Sequence, residues 1–334
     1  MEDKAKVLFS VIVPVYNQCE YLPYCIETLK NQTFQGFEAI LVNDGSTDGS
    51  AELCDIYAQN IPNIKVVHKK NEGVMYARRT GINIAEGKYI LFLDSDDGYR
   101  YDSLEIIKKT IEGHNSDCVF FNASIHDDFS DSILDYRNII ENSAKNKILE
   151  VMCGTHTLNS IWSKCVAREL FVDDDFDGYN MVTYGEDYFQ LLPIIDRAEH
   201  ISVINLPLYY YRQNQNSVTH KYNRKQVESL LYVMQRQLFY AKKWTSEYNN
   251  DYVSLLNFYV AQECYTIIKN ISFSNMSFKD KVEEIDCFKE TQIYRSYSKY
   301  VKQCLSFTRF VLFFLLTSSP NIIRRAVMKS YFKF

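Results

Sequence analysis

Over the first 125 residues short apolar runs alternate with helical stripes, and this restricts the chain more than any other of its features. Leu8 to Val13 is a near-continuous apolar run. Tyr21 to Asn31 sets Leu22, Cys25, Ile26 and Leu29 at helical spacing, and Phe37 to Val42 is a second apolar run. Asp48 to Ala58, Ile64 to His68, Val74 to Ile84 and Lys88 to Leu93 continue as helix, strand, helix and strand. Interleaving of this kind predicts βαβ units in a Rossmann-like α/β fold, with a mixed, mainly parallel sheet and helices on both faces. Ligands of such sheets bind beyond the carboxyl ends of the strands.

That rule gathers the polar residues at one rim. The first strand ends in Pro14-Val15-Tyr16-Asn17, the second in Asn43-Asp44-Gly45-Ser46-Thr47-Asp48, and the fourth runs through YILFLDSDDGY, Tyr89 to Tyr99. Three carboxylates, Asp94, Asp96 and Asp97, follow a buried run within four positions. Charges this close repel, and desolvating them is costly unless something positive compensates, so they either all face water or meet a cation. Taken singly, each cluster has an ordinary reading: Asn, Ser and Thr cap helices, and Asp-Gly makes turns. Three clusters at one sheet edge favour a ligand site.

The 334 residues suffice for one large domain and a smaller one. Asp127 to Lys147 is polar and acidic and reads as a surface insertion. Ile161 to Val166, Ile201 to Ile204 and Leu208 to Arg212 read as strands, and Glu186 to Arg197 as a helix. Beyond about residue 222 the stripes Val227, Leu230, Leu231, Met234, Leu238 and Leu256, Val260, Cys264, Ile267, Ile268 are helical. The expected organisation is a domain over 1–222, with a nucleotide-binding half at 1–125 and an acceptor-binding half at 126–222, and a helical C-terminal region over 223–334. Nine scattered cysteines without a CxxC pair predict reduced thiols and a cytoplasmic protein, and the N-terminal residues lack the features of a signal peptide.

Five stretches carry a resemblance. SVIVPVYNQCEYLPYCIETLKNQTFQGFEAILVNDGSTDGS (10–50), NEGVMYARRTGINIAEGKYILFLDSDD (71–97) and, further on, IWSK (161–164), GEDYF (185–189) and YYYRQNQNSVT (209–219) resemble, in the right order, the family 2 glycosyltransferases. That family comprises inverting nucleotide-sugar transferases of GT-A fold. The resemblance implies transfer of a sugar from a nucleotide-diphosphate donor, most often UDP-linked, to an acceptor hydroxyl during assembly of bacterial capsule, O-antigen or exopolysaccharide. It implies no nucleic-acid partner.

Residue by residue, the resemblance makes Asp94-Ser95-Asp96 the DxD motif. A diphosphate can approach a carboxylate-lined site only through a divalent metal, Mn2+ or Mg2+, with Asp96 as the principal ligand, Asp94 nearer the ribose and Asp97 the next candidate. Asp44 matches the position that binds the base, and Pro14, Tyr16 and Asn17 match the segment around base and ribose. Arg78 matches a basic residue near the nucleotide, its competing reading being an exposed helix residue. Asp187 matches the general base, with Glu186 beside it to orient acceptor or loop. Trp162 matches a position near the sugar and acceptor cleft, and Lys164 supports its loop. Arg212, Ser217 and Thr219 match a lid over the diphosphate, and His220 is a further metal or phosphate contact. The rival from another class is a nucleotide-sugar or glycan binding protein that kept the fold and lost the chemistry; intact Asp96 and Asp187 argue against it. A dinucleotide-binding oxidoreductase needs a glycine-rich turn after the first strand, and PVYNQCEY has none.

The charge is uneven. The chain carries a net −5, yet residues 291–334 hold eight basic side chains and no acidic one. FVLFFLL (310–316) is too short to span a bilayer, and NIIRRAVMKSYFKF after Pro320 is basic and amphipathic. Attachment to the inner face of the cell membrane is one reading, with a glycan or lipid-linked oligosaccharide as acceptor. Packing of these apolar residues on the helical region is the other.

Overall fold

Phe9–Val15 (β1) sits inside the sheet with every residue but Pro14 buried. The computed structural model of the chain describes residues 7–134, 136, 145–155, 157–172, 179, 182–213 and 223–332. They fall into two compact units. The first is Met1–Ile148, Thr157–Tyr179 and Glu186–Gln213; the second is Leu149–His156, Asn180–Gly185 and Asn214–Phe334.

The first unit is built on an eight-stranded sheet. Its strands are β1, β2 (Phe37–Asp44), β3 (Ile64–Lys69), β4 (Tyr89–Phe92), β5 (Gly98–Tyr99), β6 (Cys118–Ser124), β7 (Lys164–Ala167) and β8 (Ile201–Tyr210), in the order β3-β2-β1-β4-β7-β6-β8-β5. The pairs β1–β2, β2–β3, β1–β4 and β6–β8 are parallel, while β4–β7, β6–β7 and β5–β8 are antiparallel. β2 is buried along its whole length, as a strand covered on both faces must be. Helices α1 (Leu22–Lys30), α2 (Ser50–Asn60) and α3 (Val74–Ile84) connect the parallel strands, and α4 (Ser103–His114) leads from β5 to β6. Helix α5 (Lys145–Gly154) follows, and α6 (Glu186–Arg197) precedes β8.

Chain order reverses between β1 and β4: from β1 the strands run outward through β2 and β3, then β4 returns to the other side of β1. A crevice opens at such a switch point beyond the strand ends. Helix α3 approaches β1 closely at Gly81, where an added Cβ would stand 2.4 Å from Cγ2 of Ile12. Only a glycine lets helix and strand meet so tightly.

Two expectations are corrected. Ile201–Ile204 and Leu208–Arg212 are not separate strands: the first segment and Leu208–Tyr210 belong to β8, which stays continuous through exposed Asn205 and Leu206 and shifts register against β6. The acidic segment after Asp127 is described only in part, but its Tyr136 is buried with its hydroxyl on the Phe121 carbonyl, so that residue is core.

The second unit is helical: α7 (Arg224–Tyr248), α8 (Tyr252–Phe273), α9 (Phe278–Glu290), α10 (Gln292–Tyr297), α11 (Val301–Cys304), α12 (Phe307–Ser318) and α13 (Asn321–Phe332). Four of its helices start on side-chain caps: Asn223, Asp251, Ser277 and Thr291 accept from the amides of Lys225, Ser254, Asp280 and Tyr294. Two pieces of chain from before residue 214 belong to this unit. In one, Ser229 of α7 accepts from the amides of Thr183 (2.5 Å) and Tyr184 (3.1 Å); in the other, the Asn250 side chain donates to Glu150 (2.9 Å). Among the described residues no helix is long and apolar enough to cross a membrane.

Candidate active site

The crevice at the switch point is a pocket of about 390 Å³. Its wall comprises Pro14, Val15, Tyr16 and Gln18 from the end of β1, Asp44 from β2, and Asn71, Gly73, Val74, Ala77 and Arg78 from the start of α3. Asp94, Ser95 and Asp96 come from the end of β4, and Glu186 opens α6. Eight residues singled out in the sequence (Pro14, Tyr16, Asp44, Arg78, Asp94, Ser95, Asp96 and Glu186) thus meet in one wall. Gln18, Asn71, Gly73 and Ala77 were not foreseen. They contribute backbone and small or neutral side chains, which have no charge signature in a sequence.

Arg78 is the centre of charge. It is 2% exposed, which excludes the exposed-helix reading. Its guanidinium donates to Asp187 Oδ1 (2.6 Å) and to Asp94 Oδ1 (3.3 Å) and lies over the Phe92 ring. Burial works against its charge, but Asp187 and Asp94 outweigh that and hold it protonated. Its Nε is buried without a hydrogen-bond partner among the described residues. Asp187 also accepts from the Ile161 amide through Oδ2 (3.0 Å), so both of its oxygens are held and IWSK is tied to the start of α6.

The three carboxylates after β4 differ. Burial pushes the Asp94 carboxyl up to about 6, against the pull of Arg78. Burial also raises Asp96, whose carboxylate has no ion-pair partner among the described residues. Asp97 is raised well above the usual range by burial and by Asp94 and Asp96. Its oxygens accept from the Tyr209 hydroxyl (2.6 Å) and the Arg212 amide (2.8 Å), and it stands outside the pocket wall. Asp97 therefore anchors the loop and is not offered to the pocket as a ligand. Glu186 is raised too, by burial first and then by Asp187.

Arg212 departs from the lid reading. Its Nε donates to the Asp96 carbonyl (2.7 Å), and its guanidinium lies over the rings of Tyr21, Tyr24 and Tyr210 at 5.3, 4.9 and 5.2 Å. It braces the acidic loop from behind. Trp162 is sandwiched with Tyr209 and Tyr211, centroids 4.6 and 5.4 Å away. Asn17, at φ 53°, joins the β1 and β2 loops: its side chain accepts from the Thr47 amide (2.8 Å) and its own amide donates to Ser46 Oγ (3.1 Å). Asp44 accepts from Lys69 Nζ (2.8 Å) and from the amides of Glu72 (3.0 Å) and Gly73 (2.8 Å), which fixes the turn into α3. Lys164 is fully buried, with its ammonium on the Ser160 carbonyl and Ser163 Oγ. Ser217, Thr219 and His220 lie outside the described residues.

The oxygen donors suit a hard divalent cation. Among the described residues no group of three or more His, Cys, Asp or Glu could hold a metal unaided. An ion of the Mg2+ type needs only one or two carboxylates when a diphosphate supplies further oxygens, and Asp94 and Asp96 at the pocket wall meet that condition.

A mixed, largely parallel sheet with an acidic loop at its switch point and carboxylates opening a later helix is the arrangement of a GT-A fold. Residues 10–175 match the model of glycosyl transferase family 2. Glycosyltransferase GlyG of Streptococcus pneumoniae serotype 4 is 31% identical over 221 residues, covering 63% of this chain and 72% of GlyG. The chain belongs to glycosyltransferase family 2. Glycosyltransferase GlyA of the same organism is 30% identical over 242 residues, 69% of this chain but only 34% of GlyA, so the match spans about a third of that relative's length. The structure of S. aureus TarS residues 1–349 in complex with UDP-GlcNAc superposes with a TM-score of 0.69 at 20% identity, covering 98% of this chain and 92% of TarS, a likeness of fold.

Proposed function

We propose that this chain is an inverting glycosyltransferase that moves a sugar from a UDP-linked donor to an acceptor hydroxyl in the assembly of a bacterial surface polysaccharide. The observation that carries the reading is Arg78, one buried cation joining the acidic loop of the pocket to Asp187. Donor and acceptor chemistry need groups on opposite sides of the sugar carbon, and here both are fastened to the same guanidinium.

In this reading base and ribose lie against Pro14, Tyr16 and Asp44, and Mn2+ or Mg2+ is held by Asp96 with Asp94. The ion, when bound, offsets the negative charge that collects on the diphosphate as it leaves. Asp187 takes the proton of the acceptor hydroxyl while that oxygen bonds to the anomeric carbon and the carbon–diphosphate bond breaks. Attack from the face opposite the leaving group inverts the centre. Arg78 and the Ile161 amide fix the rotamer of Asp187, and Glu186 orients the acceptor. A glycan or lipid-linked oligosaccharide acceptor and work in the cytoplasm suit a nucleotide-sugar donor and nine unpaired cysteines.

A panel of nucleotide sugars tested for release of the nucleotide diphosphate, with and without EDTA, examines all of this together. Release from a UDP-sugar, lost with EDTA and restored by Mn2+, supports the reading; UDP binding without release from any donor identifies a binding protein. Calorimetric titration of Asp96→Ala with UDP and Mn2+ then tests the metal position, and unchanged binding would remove Asp96 from it.

A further inference from the structure

The last two helices bury one face each and leave a patterned face in water. In α12, Leu312, Phe313 and Leu316 are buried, whereas Phe307 and Phe314, two turns apart on the other side, are 81% and 53% exposed. In α13, Val327 and Met328 are buried, whereas Ile322 is 80% exposed and shares its face with Lys329. Exposed apolar residues grouped in this way mark an interaction surface.

Charge says what the surface meets. Of the basic residues after Glu290, two are neutralised at home: Arg295 pairs with Glu290, and Arg324, 6% exposed, pairs with Asp286 at 3.2 Å. That removes Arg324 from the basic tail expected from the sequence. Lys299, Lys302, Arg309, Arg325 and Lys329 remain exposed, with no acidic residue beyond Glu290. Arg325 also covers the Phe278 ring. Two copies meeting through this face would bring like charges together, whereas aromatic and aliphatic side chains set among lysine and arginine match the boundary of an anionic bilayer.

We propose that the face formed by α12 and α13 docks on an anionic lipid surface, with Phe307, Phe314 and Ile322 entering the headgroup boundary and the exposed lysines and arginines over acidic headgroups. The surface concerns where the chain works, and its test does not depend on the donor chemistry. The test is co-sedimentation of the full chain with vesicles of phosphatidylcholine alone or with one third phosphatidylglycerol, at low and high salt. Binding is expected only to the anionic vesicles, and it falls as salt rises. Phe307→Ser/Phe314→Ser and Arg325→Gln/Lys329→Gln, the latter pair exposed on α13 beside Ile322, are each expected to weaken it roughly tenfold or more. The charge variant alters only exposed side chains, so it stays informative even if the phenylalanine variant folds poorly. Equal binding to neutral vesicles, absence of binding, or full binding by the charge variant would overturn the proposal. So would a dimer on gel filtration that Phe307→Ser/Phe314→Ser dissolves in the absence of lipid binding.

Discussion

At the scale of single residues the site depends on how few charges serve it. Asp187→Asn keeps the volume and the contact with the Ile161 amide but cannot take a proton. Turnover is expected to fall at least about a hundredfold while UDP binding, read by calorimetry, persists. Arg78→Met leaves two carboxylates facing an apolar side chain. Breaking a buried pair costs about 3–5 kcal/mol, and the lower end is expected because Asp94 and Asp187 keep 31% and 20% of their side-chain surface. Urea denaturation measures this. Arg78→Lys should restore only part of the loss, since a compact ammonium lacks the planar fork whose two terminal nitrogens reach Asp187 and Asp94 separately.

Lys164 gives a pH signature. Burial lowers its ammonium to about 7, with Cys118 and Asp187 pulling the other way, whereas in an unfolded chain it titrates near about 10.4. Between those values the unfolded chain holds the extra proton, so this residue makes stability rise with pH, and below the folded value its penalty is constant. Relative to Lys164→Met, the native chain should therefore gain stability as pH climbs from 7 toward 9, by at most about 1.4 kcal/mol per unit. Parallel urea titrations across that range would show it, and a constant difference would contradict the assignment.

At the scale of elements, α3 is seated by the absence of a side chain. Gly81→Ala offers a better helix former, a gain of up to about 1 kcal/mol, but its methyl meets Ile12, and overpacking of a core costs about 1–3 kcal/mol. The clash should win. Gly81→Ala/Ile12→Ala should then be less destabilised than the sum of the single changes, as a double-mutant cycle by thermal denaturation would reveal.

The first four strands and three helices were legible in the sequence because each is short, strongly periodic and joined to the next by a turn. The later ones were less so. β5 has two residues, too few for any pattern, and β7 joins the sheet antiparallel, which no local period announces. β8 hides behind exposed Asn205 and Leu206, which broke its apolar run. In the site, the residues carrying charge or ring systems at strand ends were legible. Their division of labour was not: that Asp97 faces Tyr209 while Asp96 faces the pocket depends on a strand more than a hundred residues further along.

At the scale of the whole molecule, the chain visits the helical unit twice before entering it for good. A fragment ending at residue 222 would leave Thr183, Tyr184 and Glu150 without Ser229 and Asn250, and Leu149, Met152 and Cys153 without the unit they belong to. Such a fragment is expected to melt at lower temperature and less cooperatively than the full chain in scanning calorimetry. A sharp transition at the full-length temperature would show the first unit to be self-sufficient.

Sharing one guanidinium between two acids ties their fates. Any event that draws Asp94 away, such as a cation arriving beside it, frees hydrogen-bonding capacity on Arg78 that Asp187 is the nearest acid to claim. On the proposed reading, filling the position beside Asp94 would thus be felt at Asp187 through a single side chain.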